Sequence, residues 1–167
     1  MPHTEHPFPP VMNERSRILI LGSYPSVKSR QEGFYYSHPQ NRFWRMLAAV
    51  FGEKIPATAA DKRDLLLRHG LALWDVIAAC EITGSSDASI RNAVPVDIAQ
   101  ITDVAPICRV LCNGATAARL YAKHLQPLTG IPAVTLPSTS PANAAWRMDA
   151  LADAWRAHLT LPPADAP

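Results

Sequence analysis

The feature that most constrains this chain is the run Ile18-Leu19-Ile20-Leu21, closed at once by Gly22. Short, continuously apolar and partly β-branched, it reads as a strand buried on both faces. Beyond Gly22 the chain enters a long Ser/Pro-rich loop and reaches His38-Pro39 and then Asn41. Only after Asn41 do Phe43, Met46, Leu47 and Val50 recur at helical spacing. A loop of this length inside a compact domain is either functional or disordered. This one carries Tyr24, Phe34, Tyr35, Tyr36 and His38, too aromatic a content for a disordered linker. An aromatic loop at the carboxyl end of a strand is where open α/β sheets bind ligands.

The same alternation continues along the chain. A charged amphipathic helix follows Ala57-Thr58-Ala59-Ala60 and ends near His69, with Gly70 placed for the position just past its C-terminus. Leu71 to Ile77 is a second apolar run and a predicted strand, followed by the small-residue loop Thr83–Ser89. A short helix is expected around 97–105, a third strand over 107–112 broken by Asn113-Gly114, and a helix over 115–125. Ala133 to Leu136 makes a fourth strand, followed by Pro137-Ser138-Thr139-Ser140-Pro141-Ala142-Asn143. The last helix carries Met148, Leu151, Trp155 and Leu159 on one face. Strands alternating with helices predict an α/β fold, a three-layer α/β/α sandwich around a four-stranded, mostly parallel sheet. Each polar loop follows a strand, so the stretches 22–41, 75–87, Asn113 and 138–143 should meet along one sheet edge. Residues 14–161 are expected to form one domain, between a flexible tail over 1–13 and a proline-rich tail over 162–167.

Composition excludes several classes. The 167 residues are 48% hydrophobic and 18% charged, ordinary for a globular protein with a full core. No apolar run approaches the roughly 18 residues needed to span a membrane, and the first ten residues lack the layout of a signal peptide. A cytoplasmic, monomeric protein is expected. The net charge of +2 is uneven, with six basic residues and two acidic ones between Glu14 and Arg45. That basic margin suits a polyanionic partner as well as it suits a plain solvated face. Cys80, Cys108 and Cys112 are too few for a disulfide framework or a four-cysteine cluster, and Cys108 and Cys112 read as buried thiols on a strand. No metal or other cofactor is implied.

Two segments go beyond a generic α/β reading. Gly22-Ser23-Tyr24-Pro25-Ser26, running on to Tyr36-Ser37-His38-Pro39-Gln40-Asn41-Arg42-Phe43-Trp44, resembles the first motif region of the uracil-DNA glycosylase superfamily. The likeness is closest to its mismatch-specific branch, with H-P-x-N-x-F-W. Leu136 to Asn143 is similar to the superfamily's second motif, H-P-S-P-L-N, with the first two positions and the leucine replaced. Leu73-Trp74-Asp75-Val76, Gly84-Ser85-Ser86-Asp87 and Asn113-Gly114 point further to the hypoxanthine-DNA glycosylase branch.

The resemblance implies a uracil-DNA glycosylase-like fold and a substrate, DNA containing deaminated bases, whose base is turned out of the duplex into a pocket. It assigns base stacking to Tyr36, a residue that core packing would also explain. It assigns reading of the base edge to Asn113, which before Gly114-Ala115 would equally cap a helix. Tyr24, Ser23 and Asp75 join the base-binding set, with Asp75 and Asp87 as candidate general bases. Ser26, Ser138, Ser140, Ala142 and Asn143 would contact DNA, with Ala142 at the site of the family's intercalating leucine.

The departures bear on chemistry. Tyr24 stands where the superfamily carries an acid or amide that orients the attacking water, and Ser138 stands where it carries a histidine. The hypoxanthine branch lacks these groups as well and points to Asn41 as the catalytic residue, its amide holding a water below the sugar C1′. His38 is the second catalytic candidate, through donation to base or phosphate. The expected activity is excision of hypoxanthine from deoxyinosine, with uracil or mismatch excision as the alternative. From another class, a nucleic-acid-binding module that has lost its chemistry fits the same departures.

Overall fold

The structure, a computed structural model, describes residues 3–161. Four strands form a wholly parallel sheet: β2 (Ile18–Gly22), β3 (Leu71–Asp75), β6 (Arg109–Asn113) and β7 (Ala133–Leu136), in the order β3-β2-β6-β7. Every residue of β2 and β3 is buried, as strands of a parallel sheet covered on both faces must be. Helices α2 (Phe43–Phe51), α3 (Ala59–Arg68), α5 (Ala115–His124) and α7 (Met148–Arg156) flank the sheet, giving the expected three-layer α/β/α sandwich. Short helices α1 (Val27–Glu32), α4 (Ala99–Thr102) and α6 (Gln126–Thr129) complete the set. Thr58 caps α3 by accepting from the Asp61 amide, and Gly70 follows its end at φ 68°.

From β2 the chain crosses to β3 on one side, then passes back over β2 to β6 on the other. The reversal opens a crevice outside the carboxyl ends of β2 and β6, where Gly22 and Asn113 lie.

A second sheet was not expected from the sequence. Strands β1 (His3–Glu5), β4 (Ile77–Glu81) and β5 (Arg91–Pro95) pair antiparallel in the order β1-β4-β5. The apolar run from Leu71 to Ile77 is therefore not one strand. At Val76 the chain leaves the parallel ladder, with the Val76 and Ile77 amides bonded to the Gly22 and Ser23 carbonyls, and enters the other sheet. Asp75 sits at that junction.

The segment expected as a flexible tail over 1–13 is, from His3 on, part of the domain. His3–Glu5 pairs with Ala79–Glu81, Phe8 and Val11 are buried, and Val11 exchanges two backbone hydrogen bonds with Leu73. That exchange covers the open edge of β3, which would otherwise present unpaired donors and acceptors. Tails over 162–167 and 1–2 lie outside the described residues.

Cys80 and Cys112 are buried as expected, but Cys108 is exposed, because it precedes β6 instead of lying in it. Burial pushes the Cys112 thiol up to about 12 and raises that of Cys80. Iodoacetamide at pH 8 should therefore label Cys108 alone in the native protein and all three cysteines after denaturation, read by mass spectrometry. Rapid native labelling of Cys112 would contradict this packing.

Candidate functional site

The crevice holds a cavity of about 980 Å³ lined by the loops after β2, β3, β6 and β7. It therefore brings together all four stretches that the sequence placed at one edge. Ser23, Tyr24, Ser26, Tyr36, His38, Asn41, Asp75, Asn113, Ser138, Ser140, Ala142 and Asn143 all line it.

One wall is organised by Thr139, fully buried. Its backbone N–H donates to Asn113 Oδ1 at 3.0 Å, its Oγ1 accepts from Asn113 Nδ2 at 3.0 Å, and the same hydroxyl donates to Asn41 Oδ1 at 2.9 Å. Its carbonyl accepts from the Arg42 amide at 3.1 Å. The side chain of Asn113 is thus bonded to Thr139 and does not cap α5, whose N-cap is Gly114. Asn41 Oδ1 also accepts from the Phe43 amide at 3.0 Å. Two donors fix that oxygen, so the orientation of the amide is settled and Nδ2 is the group left to offer.

Tyr36 adopts φ 52°, a left-handed conformation costly for a tyrosine. The turn lays its ring on Phe43, at 4.1 Å between centroids and 25° between planes. Its hydroxyl is buried without a partner, and burial, with the Asp75 carboxylate nearby, raises its phenol above the usual range. Tyr24 is buried too, its ring under the Arg30 guanidinium at 5.5 Å. A β-carbon on Gly22 would lie 2.4 Å from Asp75 Oδ1 and 2.9 Å from the Tyr36 hydroxyl. Only a bare Cα lets these two side chains close the cavity floor.

Asp75 is not alone there. Its Oδ2 lies 2.8 Å from Nε2 of His6, and both side chains are almost fully buried. His6 comes from the segment read as a tail and was missed for that reason. The apolar residues Phe8 and Val11, interleaved with prolines, were the available sign that this segment packs. Thr139 was missed because nothing in Ser138-Thr139-Ser140 sets it apart until the fold buries it.

The remaining candidates divide by whether their polar atoms are engaged. Ser26 caps α1 by accepting from the Ser29 amide, and Ser140 accepts from the Ala142 amide. Ser138 Oγ accepts from the Ser140 amide, and its carbonyl takes Asn143 Nδ2 at 3.0 Å. These serines shape their loops first. Ser23 donates to Asp87 Oδ1 at 2.8 Å, and Asp87 lines the cavity as well. His38 Nδ1 accepts from the Gln40 amide at 3.1 Å, so its Nε2 edge is the one left for a ligand. Arg42 donates to the carbonyls of Asn143 and Trp146, clamping the loop beyond the turn Pro141–Asn143. Trp146, 38% exposed, stands on that loop at the cavity rim.

Thr139→Val removes the hydroxyl at constant shape and leaves Asn113 and Asn41 short of a partner in a buried setting. The expected loss is about 1–3 kcal/mol by urea unfolding, with Thr139→Ser much closer to wild type. Equal stability for Val and wild type would contradict the network.

Comparison with known proteins agrees with this geometry. A family model for the uracil DNA glycosylase superfamily matches residues 9–159. A protein of Methanosarcina acetivorans called hypoxanthine DNA glycosylase is 36% identical over 137 residues, covering 81% of this chain and 86% of its own. A Methanosarcina barkeri protein of the same name is 38% identical over 109 residues, 64% of this chain and 69% of its own. A solution NMR structure of a candidate uracil DNA glycosylase from Methanosarcina acetivorans superposes with a TM-score of 0.78 at 32% identity, over 91% of this chain and 94% of that one. By sequence over almost its whole length and by fold, this chain belongs to the uracil DNA glycosylase superfamily.

Proposed function

We propose that the protein is a monofunctional DNA glycosylase that hydrolyses the N-glycosidic bond of deaminated bases, hypoxanthine in deoxyinosine foremost. The observation that carries the reading is the pinned Asn41 amide. Its oxygen is held by Thr139 and Phe43, which leaves Nδ2 as the group it can offer, and the residue lines a cavity large enough for a flipped nucleotide. The names of the two Methanosarcina relatives favour hypoxanthine over uracil.

A base in a duplex is out of reach, so it must be extruded at a cost of a few kcal/mol. Stacking on Tyr36, itself backed by Phe43, offsets part of this, since base–aromatic stacking is worth about 1–3 kcal/mol. Asn41 acts by position. With Oδ1 already accepting two hydrogen bonds, it cannot serve as a proton acceptor, but Nδ2–H can hold a water oxygen below C1′. Such a water is captured once the glycosidic bond has loosened into an oxocarbenium-like state. His38 Nε2–H is placed to donate to the departing base or a flanking phosphate. Backbone amides of the loop over 138–143 and the basic residues near Asn41 contact the phosphates. The protein acts on DNA as a monomer in the cytoplasm, without a cofactor. Among the described residues no helix is long and apolar enough to cross a membrane.

Ala142 is too short to fill the space a flipped base leaves. Trp146 takes that task in this reading. Of the six large hydrophobic residues that are exposed among the described residues, it is the one that lines the cavity.

The primary test is an excision panel on oligonucleotides carrying hypoxanthine, uracil or xanthine, with alkaline cleavage at abasic sites. Hypoxanthine should be removed fastest; no cleavage of any substrate removes the enzymatic reading, and uracil alone replaces the lesion but keeps the class. Asn41→Ala should lower the single-turnover rate on the order of a hundredfold while duplex affinity stays nearly unchanged. Parallel losses would make Asn41 structural. Trp146→Ala should weaken duplex binding on the order of tenfold, by anisotropy, and spare single strands. The other three tryptophans are buried, so duplex binding should also shield wild-type emission from acrylamide.

A further inference from the structure

The pair His6–Asp75 is absorbed by none of the steps above. Asp75 Oδ2 is taken by His6, whereas Oδ1 accepts no hydrogen bond from the described residues and belongs to the cavity floor. His6 is fixed from several sides. Its backbone N–H donates to the Ala78 carbonyl at 2.7 Å, and its ring meets Phe8 edge-on at 4.7 Å and Tyr24 at 5.9 Å. Nδ1 accepts from the Phe8 amide at 3.4 Å, which leaves the Nε2 proton for Asp75. One carboxylate oxygen is thereby anchored and the other presented.

We propose that His6 is a positioning residue for Asp75 and that the presented oxygen of Asp75 selects bases carrying a lactam N–H. This rests on the glycosylase reading. Deamination turns the amidine edge of adenine or cytosine into a lactam, replacing a ring-nitrogen acceptor with an N–H donor beside a carbonyl. A carboxylate oxygen only accepts. It bonds the N1–H of hypoxanthine or the N3–H of uracil, and it faces a lone pair on adenine or cytosine. A site that hydrogen-bonds one edge rejects its complement far more strongly than an apolar pocket does, because the wrong base leaves buried polar groups unpaired. The selector therefore recognises the product of deamination as a class, and the anchor that holds it comes from the amino-terminal segment, outside both family motifs.

The test compares single-turnover excision of deoxyinosine and 1-methyldeoxyinosine, each opposite an abasic analogue so that pairing does not differ. Wild type should prefer deoxyinosine at least tenfold, the size expected for one hydrogen bond to a charged group. Asp75→Asn keeps the volume, but with its oxygen held by His6 it turns an NH₂ to the base, and the preference should collapse through slower removal of hypoxanthine. His6→Phe should collapse it in the same way, His6→Gln should restore it, and adding His6→Phe to Asp75→Asn should change it no further. A preference unchanged in Asp75→Asn, or one that collapses because the methylated substrate speeds up, overturns the assignment alone. Additive effects of the two substitutions overturn the positioning role of His6. A wild type that removes no hypoxanthine overturns the glycosylase reading along with it. Should His6→Phe fail to fold by circular dichroism, Asp75→Asn and His6→Gln still decide between these outcomes.

Discussion

Everything at the mouth of this sheet depends on a single buried threonine. Through its amide, carbonyl and hydroxyl, Thr139 ties the end of β6, the loop after β7 and the start of α2 into one unit. Each such bond contributes little net stability, about 0.5–1.5 kcal/mol, but leaving a buried partner unsatisfied costs more. The asymmetry gives the network its rigidity, since no member can swing away without stranding another. The role proposed for the Asn41 amide needs that rigidity. Free to rotate, Asn41 would present oxygen or nitrogen to the cavity indifferently, whereas with Thr139 and Phe43 holding its oxygen it presents only a donor.

The cavity floor is built by a different rule. His6 and Asp75 are both nearly excluded from water, where removing charges from solvent is expensive unless they are paired. The antiparallel sheet makes the pairing possible by carrying His6 to the end of β3, and Gly22 makes room for the carboxylate over its own Cα. The cavity is thus bounded by two buried polar junctions with opposite characters, a neutral donor at Asn41 and an acceptor at Asp75. A nucleotide lying between them would meet the donor on the sugar side and the acceptor on the base side.

Much of this was legible in the sequence, for identifiable reasons. Ile18-Leu19-Ile20-Leu21 could only be a central strand, and the alternation that follows it dictated the parallel sheet and the gathering of its loops. Asn41 and Asn113 stood out because Asn41 stands just before a helix and Asn113 ends a strand. What escaped reading has a common cause. Leu71 to Ile77 is apolar but for Asp75, and a single carboxylate does not mark Val76 as the point where the chain changes sheets. β1 and β5 are short and their exposure is mixed, which leaves no clean period of two. His6 and Thr139 matter through partners 69 and 26 residues away in the chain, and no local pattern announces such contacts.

The replacements at Tyr24 and Ser138 acquire a meaning within the proposed reading. A site with tyrosine in place of the water-orienting acid or amide, and serine in place of the second-motif histidine, is poorly equipped to drive a difficult displacement. It suits a bond that breaks before the water attacks, where catalysis consists of holding the base, favouring positive charge on the sugar, and keeping one water in line. A purine suits such a site, because N7 of its imidazole ring and N3 of its pyrimidine ring can each take a proton or a hydrogen bond as the bond lengthens. His38 presents such a donor edge at the cavity. The absence of the usual machinery is then a matter of substrate: a purine lesion asks less of the protein at the reacting atoms and more of it in recognition.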